Sequence, residues 1–191
     1  MRPWLVPYNL SGSVRLLDTI VAGNAATDSS PDLNGSFISD GFNLIGNNQG
    51  PTGLSINDFQ NVPANLGPLR DNGGSTPTCA PLPGSFAIDY GTSAGAPTVD
   101  QRGVPRPQNS AFDIGAVEFV STPLLTGPLG LGTSGFSLST ILDTTNSYRI
   151  RGSTNLTTWV DLTNFQNGGP QYFLDTSATN LARRFYRAVA P

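Results

Sequence analysis

The chain contains no histidine and a single cysteine, Cys79, among its 191 residues. The first absence removes the commonest general base and zinc ligand. The second rules out an intramolecular disulfide and a cysteine cluster for metal, and it leaves the thiol without a histidine to activate it. Redox compartment stays open, because exported bacterial proteins often dispense with cysteine. Serines abound, but no G-x-S-x-G turn accompanies them. Lysine is missing too: all ten basic residues are arginine, and twelve of the thirteen acids are aspartate, Glu118 being the exception. Lysine and glutamate ordinarily cover exposed helix faces, so their scarcity speaks against surface helices. The net charge is −3 and the arginines are scattered along the sequence, which argues against a nucleic-acid partner. No apolar run approaches the roughly 20 residues that span a membrane, and the opening MRPWLVPYNLSGS lacks the sustained apolar segment of a signal peptide.

What is present points to strands and turns. Glycine (22) and proline (16) oppose long helices, and the abundant Asn, Asp, Ser and Thr are turn formers. Many short strands joined by turns is the economical reading. In the first zone, TIVAGN (Thr19–Asn24) recurs as NLIGN (Asn43–Asn47), with the strand candidate DLNGSFIS between them. Aligning Asn24 with Asn47 gives an offset of 23 residues, a rung-sized interval that suggests a parallel β-helix. In that alignment Val21 and Leu44 stack inside, and the two asparagines mark a corner.

The second zone, Asn61–Phe119, is dense in turns, such as Asp71-Asn72-Gly73-Gly74, and ends in VDQRGVPRPQNSAFDIGAVE (Val99–Glu118). The motifs NLIGN, GPLRDNGGSTPT, LPGSFAIDYG, TVDQRGVPRP and DIGAVEF follow one another in that order. Together they resemble the choice-of-anchor Q domain, found at the C-terminal end of right-handed parallel β-helices in bacterial exported and surface proteins. The resemblance covers roughly Asp18–Phe119, and no catalytic residues are established for the family. The chain departs from the pattern at Asn61–Asn65, where an acidic stretch is usual, and at Phe86 and Tyr90, where smaller residues are commoner. The resemblance implies an extracellular or cell-surface bacterial protein. A solenoid needs about three coils and about two are legible before Asn61, so upstream coils and a leader are expected beyond Met1.

A stretch rich in Gly, Pro, Ser and Thr, Ser121–Gly135, reads as a linker; its GPLGLG lacks the strand–loop–helix setting of a phosphate cradle. The third zone holds the strand candidates FSLSTIL, SYRIRGST, WVDLTNF, QYFLDT and RRFYRAVA, separated by turn signals at Asp143–Asn146 and Asn167–Pro170. In the second of these strands Arg149 and Arg151 alternate with Tyr148, Ile150 and Gly152, the pattern of a half-buried strand. STNLTTW and RRFYRA are similar to a C-terminal β-domain appended to many exported proteins of Verrucomicrobia-type bacteria. The expected architecture is all-β: terminal rungs and an irregular cap of a right-handed parallel β-helix over 1–120, the linker over 121–135, and a small antiparallel β-sandwich or meander over 136–191.

Three groups of residues are candidates for chemistry. Asp100, Arg102, Arg106, Asp113 and Glu118 read either as an acid/base site for polysaccharide cleavage or as a clamp, in which arginines tie together the carbonyls and carboxylates of an irregular segment. The clamp is the preferred reading, because these acids sit among turns in one local segment and not along a groove. Asp71, Asn72 and Asp89 offer oxygens that suit Ca²⁺, but they also suit ordinary Asx turns. Trp159 and Tyr186 are candidates for stacking on sugars: Trp159 is expected in the core, and Tyr186, alternating with Phe185, is the better exposed. These readings converge on a monomeric, non-catalytic scaffold, adhesive or glycan-contacting and without a cofactor. The alternative is a fragment of a pectin lyase-like enzyme whose groove lies upstream.

Overall fold

The computed structural model of the chain describes residues 8–9, 12–25, 32–143, 147–166 and 170–189. Among them every regular element is a β-strand except one 3-10 turn, Thr176–Asn180, so the chain is all-β. Most of the two turns expected at 143–146 and 167–170 lies outside the described residues. The chain divides into two compact units: Met1–Leu69 with Cys79–Phe119, and Arg70–Thr78 with Val120–Pro191.

Among the described residues the first unit contains eight short strands: β1 (Tyr8–Asn9), β2 (Arg15–Leu17), β3 (Ile20–Val21), β4 (Asn34–Ser36), β5 (Ile38–Gly41), β6 (Leu44–Ile45), β7 (Pro51–Thr52) and β8 (Phe59–Gln60). All their pairings are parallel, in three small sheets ordered β1-β4-β7, β2-β5 and β3-β6-β8. Tyr8 pairs with Asn34, Arg15 with Ile38 and Ile20 with Leu44. Next, Gly35 pairs with Pro51 and Leu44 with Phe59.

The register corrects the repeat as read from sequence. Val21 pairs with Ile45 and Ile20 with Leu44, so the offset is 24 and not 23, and Val21 does not stack on Leu44. The physical reason lies in the connection after each strand. Ala22 and Gly23 separate Val21 from Asn24, whereas Gly46 alone separates Ile45 from Asn47, so the asparagines cannot align when the strands do. Asn24 instead gives its backbone and side-chain N–H groups to Asp32 Oδ1, each at 3.0 Å. Asn47 Oδ1 caps its own turn by accepting from the Gln49 N–H at 2.8 Å.

Both residues of β6 are fully buried, because the sheet β3-β6-β8 is covered on both faces. On one side Ile45 packs with Leu33 and Phe37, and with the partly buried Leu16, Val21 and Leu54. On the other, Leu44 packs with Ala87 and Ile114, flanked by Ile20, Ala22 and Phe59. The irregular segment thus lies along a sheet face, which is where its two apolar anchors, Ala87 and Ile114, find a surface.

The second unit contains β9 (Leu124–Gly132), β10 (Gly135–Ile141), β11 (Tyr148–Ser153), β12 (Val160–Phe165), β13 (Gln171–Asp175) and β14 (Phe185–Val189). They form two antiparallel three-stranded sheets, β13-β10-β9 and β12-β11-β14. Leu138, Leu142, Tyr148 and Ile150 make the buried core, with Leu125, Phe136, Phe173, Leu162, Phe165 and Tyr186 packed against it. Inside, the Tyr148 and Thr140 hydroxyls are hydrogen-bonded to each other. The stretch expected as a linker, Ser121–Gly135, supplies β9, a nine-residue strand. Its ladder with β10 overrides the weak strand propensity of Gly and Pro. The sequence contains Pro128, and β9 is an edge strand with a register shift between its Ser137 and Ser139 pairings, the setting in which a sheet accepts proline.

Candidate functional site

The five charged residues of Val99–Glu118 come together in the interior of the first unit. Asp100, Arg102, Asp113 and Glu118 are all buried, and the Arg106 side chain is only 3% exposed. Burial of this kind requires that every charge be met by a partner. Asp100 Oδ1 accepts the N–H groups of Arg102 (2.7 Å) and Val104 (2.9 Å), while its Oδ2 accepts Arg102 Nε (2.9 Å) and the Glu118 N–H (3.0 Å). Arg102 Nη2 donates to the Glu118 carbonyl. Arg106 donates through Nε to Glu118 Oε1 at 2.7 Å, and through Nη2 to the carbonyls of Asp113 (2.6 Å) and Gly115 (3.0 Å). Glu118 also accepts the N–H groups of Asp113 (2.9 Å) and Gln108 (3.2 Å).

Asp113 is different in kind. Among the described residues its carboxylate meets no arginine: Arg106 bonds its backbone carbonyl, and the side chain accepts the N–H groups of Asp89 (2.8 Å) and Phe119. Burial pushes its pKa up to about 7, against the lowering effect of those two N–H donors, and the Glu118 charge adds to the rise. Asp18, at a positive φ of 53° before β3, is raised by burial as well. Its carbonyl accepts the Gly115 N–H (3.0 Å) and its carboxylate the Thr92 N–H (3.2 Å), so it ties the parallel strands to the irregular segment. Gly91 is the point of closest approach there, since a Cβ on it would stand 2.7 Å from both Asp18 Oδ1 and the Asp113 carbonyl.

Asp71 and Asn72 belong to the second unit and Asp89 to the first. Asp71 Oδ1 caps its turn through the Gly73 N–H (2.8 Å). Asn72 is buried, accepting from Arg70 Nε (2.8 Å) and donating to the Thr78 carbonyl and hydroxyl. Asp89 Oδ1 accepts the Ala111 N–H at 3.0 Å. Among the described residues no group of three or more His, Cys, Asp or Glu is placed to hold a metal ion, and no helix is long and apolar enough to cross a membrane.

The two aromatic candidates exchange roles. Tyr186 pairs with Gly152 across β11 and β14, which turns it toward the core. Its ring stacks on Phe136 at 4.7 Å and its hydroxyl donates to Asp175 Oδ2 at 3.1 Å. Burial and the Asp175 charge push its pKa up to about 12. Tyr186 faces inward, against expectation, because its partner Gly152 is an inward position beside Tyr148 and Ile150. Trp159 lies outside the core cluster and is partly exposed. The STNLTTW turn fixes it: Asn155 Oδ1 accepts the N–H groups of Thr157 (2.9 Å) and Thr158 (2.8 Å), Leu156 takes a positive φ of 64°, and Trp159 Nε1 donates to the Leu156 carbonyl at 3.0 Å.

Two further arrangements join residues that no local motif links. Thr19, Asn43 and Asp58 each precede a strand of the sheet β3-β6-β8, and they form a hydrogen-bonded column. In the second unit, buried Asp175 collects Ser177, Arg184 Nε (3.1 Å) and Tyr186. Only the Asn and Asp at matching strand starts could have signalled the first. No family model, no curated protein and no solved structure matches this chain.

Proposed function

We propose that the chain is a non-catalytic part of an exported or cell-surface bacterial scaffold that contacts glycans, with the first unit a run of stacked right-handed β-helical coils and the second a small β-sandwich. The observation that carries the reading is the saturation of Asp100, Arg102, Arg106 and Glu118. The side chain of each is buried and bonded to backbone groups or to a neighbouring charge, so none is free to take or give a proton at a substrate. Their work is structural: they satisfy the backbone of a segment that has no ladder of its own. Support for the coils comes from the wholly parallel pairings, spaced 24 residues at β3–β6 and 15 at β6–β8. Support for an extracellular setting comes from the ordered motifs between Asp18 and Phe119.

The test is incubation of the full chain with polygalacturonate and related polymers, following viscosity and the absorbance of unsaturated products. No cleavage is expected. Release of unsaturated sugars that disappears in Arg102→Ala would replace the scaffold with an enzyme of the pectin lyase-like kind.

A further inference from the structure

The outward face of the sheet β12-β11-β14 gathers arginines that are far apart in sequence. Along β11, Arg149 and Arg151 alternate with the buried Tyr148, Ile150 and Gly152. Arg187 on β14 stands directly opposite Arg151, and Asp161 on β12 stands opposite it on the other side. Like charges facing each other across antiparallel strands repel. Asp161 relieves two of the three, lying 3.0 Å from Arg149 Nη1 and 2.7 Å from Arg151 Nε. Arg187 has no carboxylate within salt-bridge reach among the described residues. Its guanidinium lies over the Trp159 ring, 4.2 Å from the centroid, and Arg151 Nη2 donates to the Trp159 carbonyl at 2.9 Å. The face therefore presents three cations, one anion and an anchored indole, with Arg149 and Asp161 side chains 42% and 45% exposed.

The distribution of charge along the chain agrees. The segments of the second unit hold six arginines against four aspartates, whereas the rest of the chain holds four arginines against eight aspartates and Glu118. An acidic protein has thus kept its positive excess in one unit, with half of that unit's arginines on one sheet face.

We propose that this face binds an acidic polysaccharide, with uronate carboxylates seated on Arg187 and Arg151 and sugar hydroxyls donating to Asp161. The inference rests on the glycan-contacting reading above and names its site and ligand class. A guanidinium fork matches a carboxylate in bidentate geometry. Stacking on Trp159 holds the Arg187 guanidinium in place, which lowers the entropy lost on binding. Asp161 favours a polyanion that also brings hydroxyl donors: it accepts hydrogen bonds from sugar hydroxyls, which a uronate polymer supplies beside its carboxylates and single-stranded DNA does not.

The experiment is calorimetric titration of the full chain with polygalacturonate, its fully methyl-esterified form, a neutral galactan and a single-stranded DNA oligomer. Polygalacturonate is expected to bind, to weaken as salt rises, and to weaken at least tenfold in Arg187→Gln and Trp159→Ala, while the ester and the DNA do not bind. Thermal melts accompany each variant; if Trp159→Ala unfolds, the exposed Arg187→Gln decides alone. No binding of polygalacturonate, equal binding of the ester, tighter binding of DNA, or full affinity in Arg187→Gln each overturns the proposal. Neutral galactan bound equally by wild type and Arg187→Gln would remove this site yet leave glycan contact standing, whereas cleavage of the polymer would remove the scaffold reading instead.

Discussion

Asp58 accepts two hydrogen bonds from Asn43 on one oxygen, from the backbone N–H at 3.1 Å and from the side-chain amide at 2.8 Å. Asn43 Oδ1 in turn accepts the Thr19 N–H at 3.0 Å, and its Nδ2 reaches the Leu16 carbonyl and the Ser39 hydroxyl. One fully buried side chain, itself just before β6, therefore bonds to the residues that precede the two flanking strands, β3 and β8. Asn43→Ala leaves a buried carboxylate oxygen, a carbonyl and an N–H short of partners, and is expected to lower unfolding free energy by about 3 kcal/mol. Urea unfolding followed by fluorescence checks it; a change under about 0.5 kcal/mol would show that the column is incidental.

Arg106→Gln removes the cation from Glu118 and two donors from the carbonyls of Asp113 and Gly115. A buried ion stripped of its partner costs about 3–5 kcal/mol. Hydrogen exchange should show lost protection across residues 79–119, with the strands of the second unit unaffected.

The two units are expected to respond to acid with opposite sign. Asp113 keeps its proton in the folded state up to about pH 7, against an ordinary aspartate value of 3.8. Between these values the folded chain binds more protons than the unfolded one, so stability falls as pH rises through the window. Asp18 shifts in the same direction. Asp175 shifts the other way: burial raises it, but hydrogen bonds from Ser177 and Tyr186 and the Arg184 charge outweigh burial and hold it below 3.8. Its contribution is present above the ordinary value and lost as pH falls through its lowered one. Exchange protection measured at pH 5 and pH 7.5 should favour the first unit at pH 5, and Asp113→Asn should flatten that difference.

Gly53 sits at a positive φ of 80°, and a Cβ there would stand 2.0 Å from the Phe37 carbonyl oxygen. That closeness arises where the strand after Asn34 and the chain after β7 run in parallel register, with the Ser39 N–H donating to the Gly53 carbonyl at 3.1 Å. Gly53→Ala is expected to cost about 3 kcal/mol or more through strain and displacement of that ladder. A melting temperature within a degree of wild type would contradict the register.

Tyr186→Phe keeps the ring on Phe136 and removes one donor from buried Asp175. A loss of about 1.5–3 kcal/mol is expected, the range for hydrogen bonds to charged groups. Unchanged urea midpoints would place the Tyr186 hydroxyl outside the network.

The sequence by itself determined the strand-and-turn character, the five strands after Phe136, and the grouping of Asp100, Arg102, Arg106, Asp113 and Glu118. These follow from local facts: glycine and proline exclude helices, side chains alternate along a strand, and charges within twenty residues joined by turns are able to meet. Tertiary structure decided the rest. Whether Val21 opposes Leu44 or Ile45 depends on the length of the corner after each strand, and whether Tyr186 faces in or out depends on its pairing with Gly152. The linker residues became β9 only because β10 offered a ladder. Arg187 joined Arg149 and Arg151 because β14 paired beside β11, a long-range contact that no local spacing encodes.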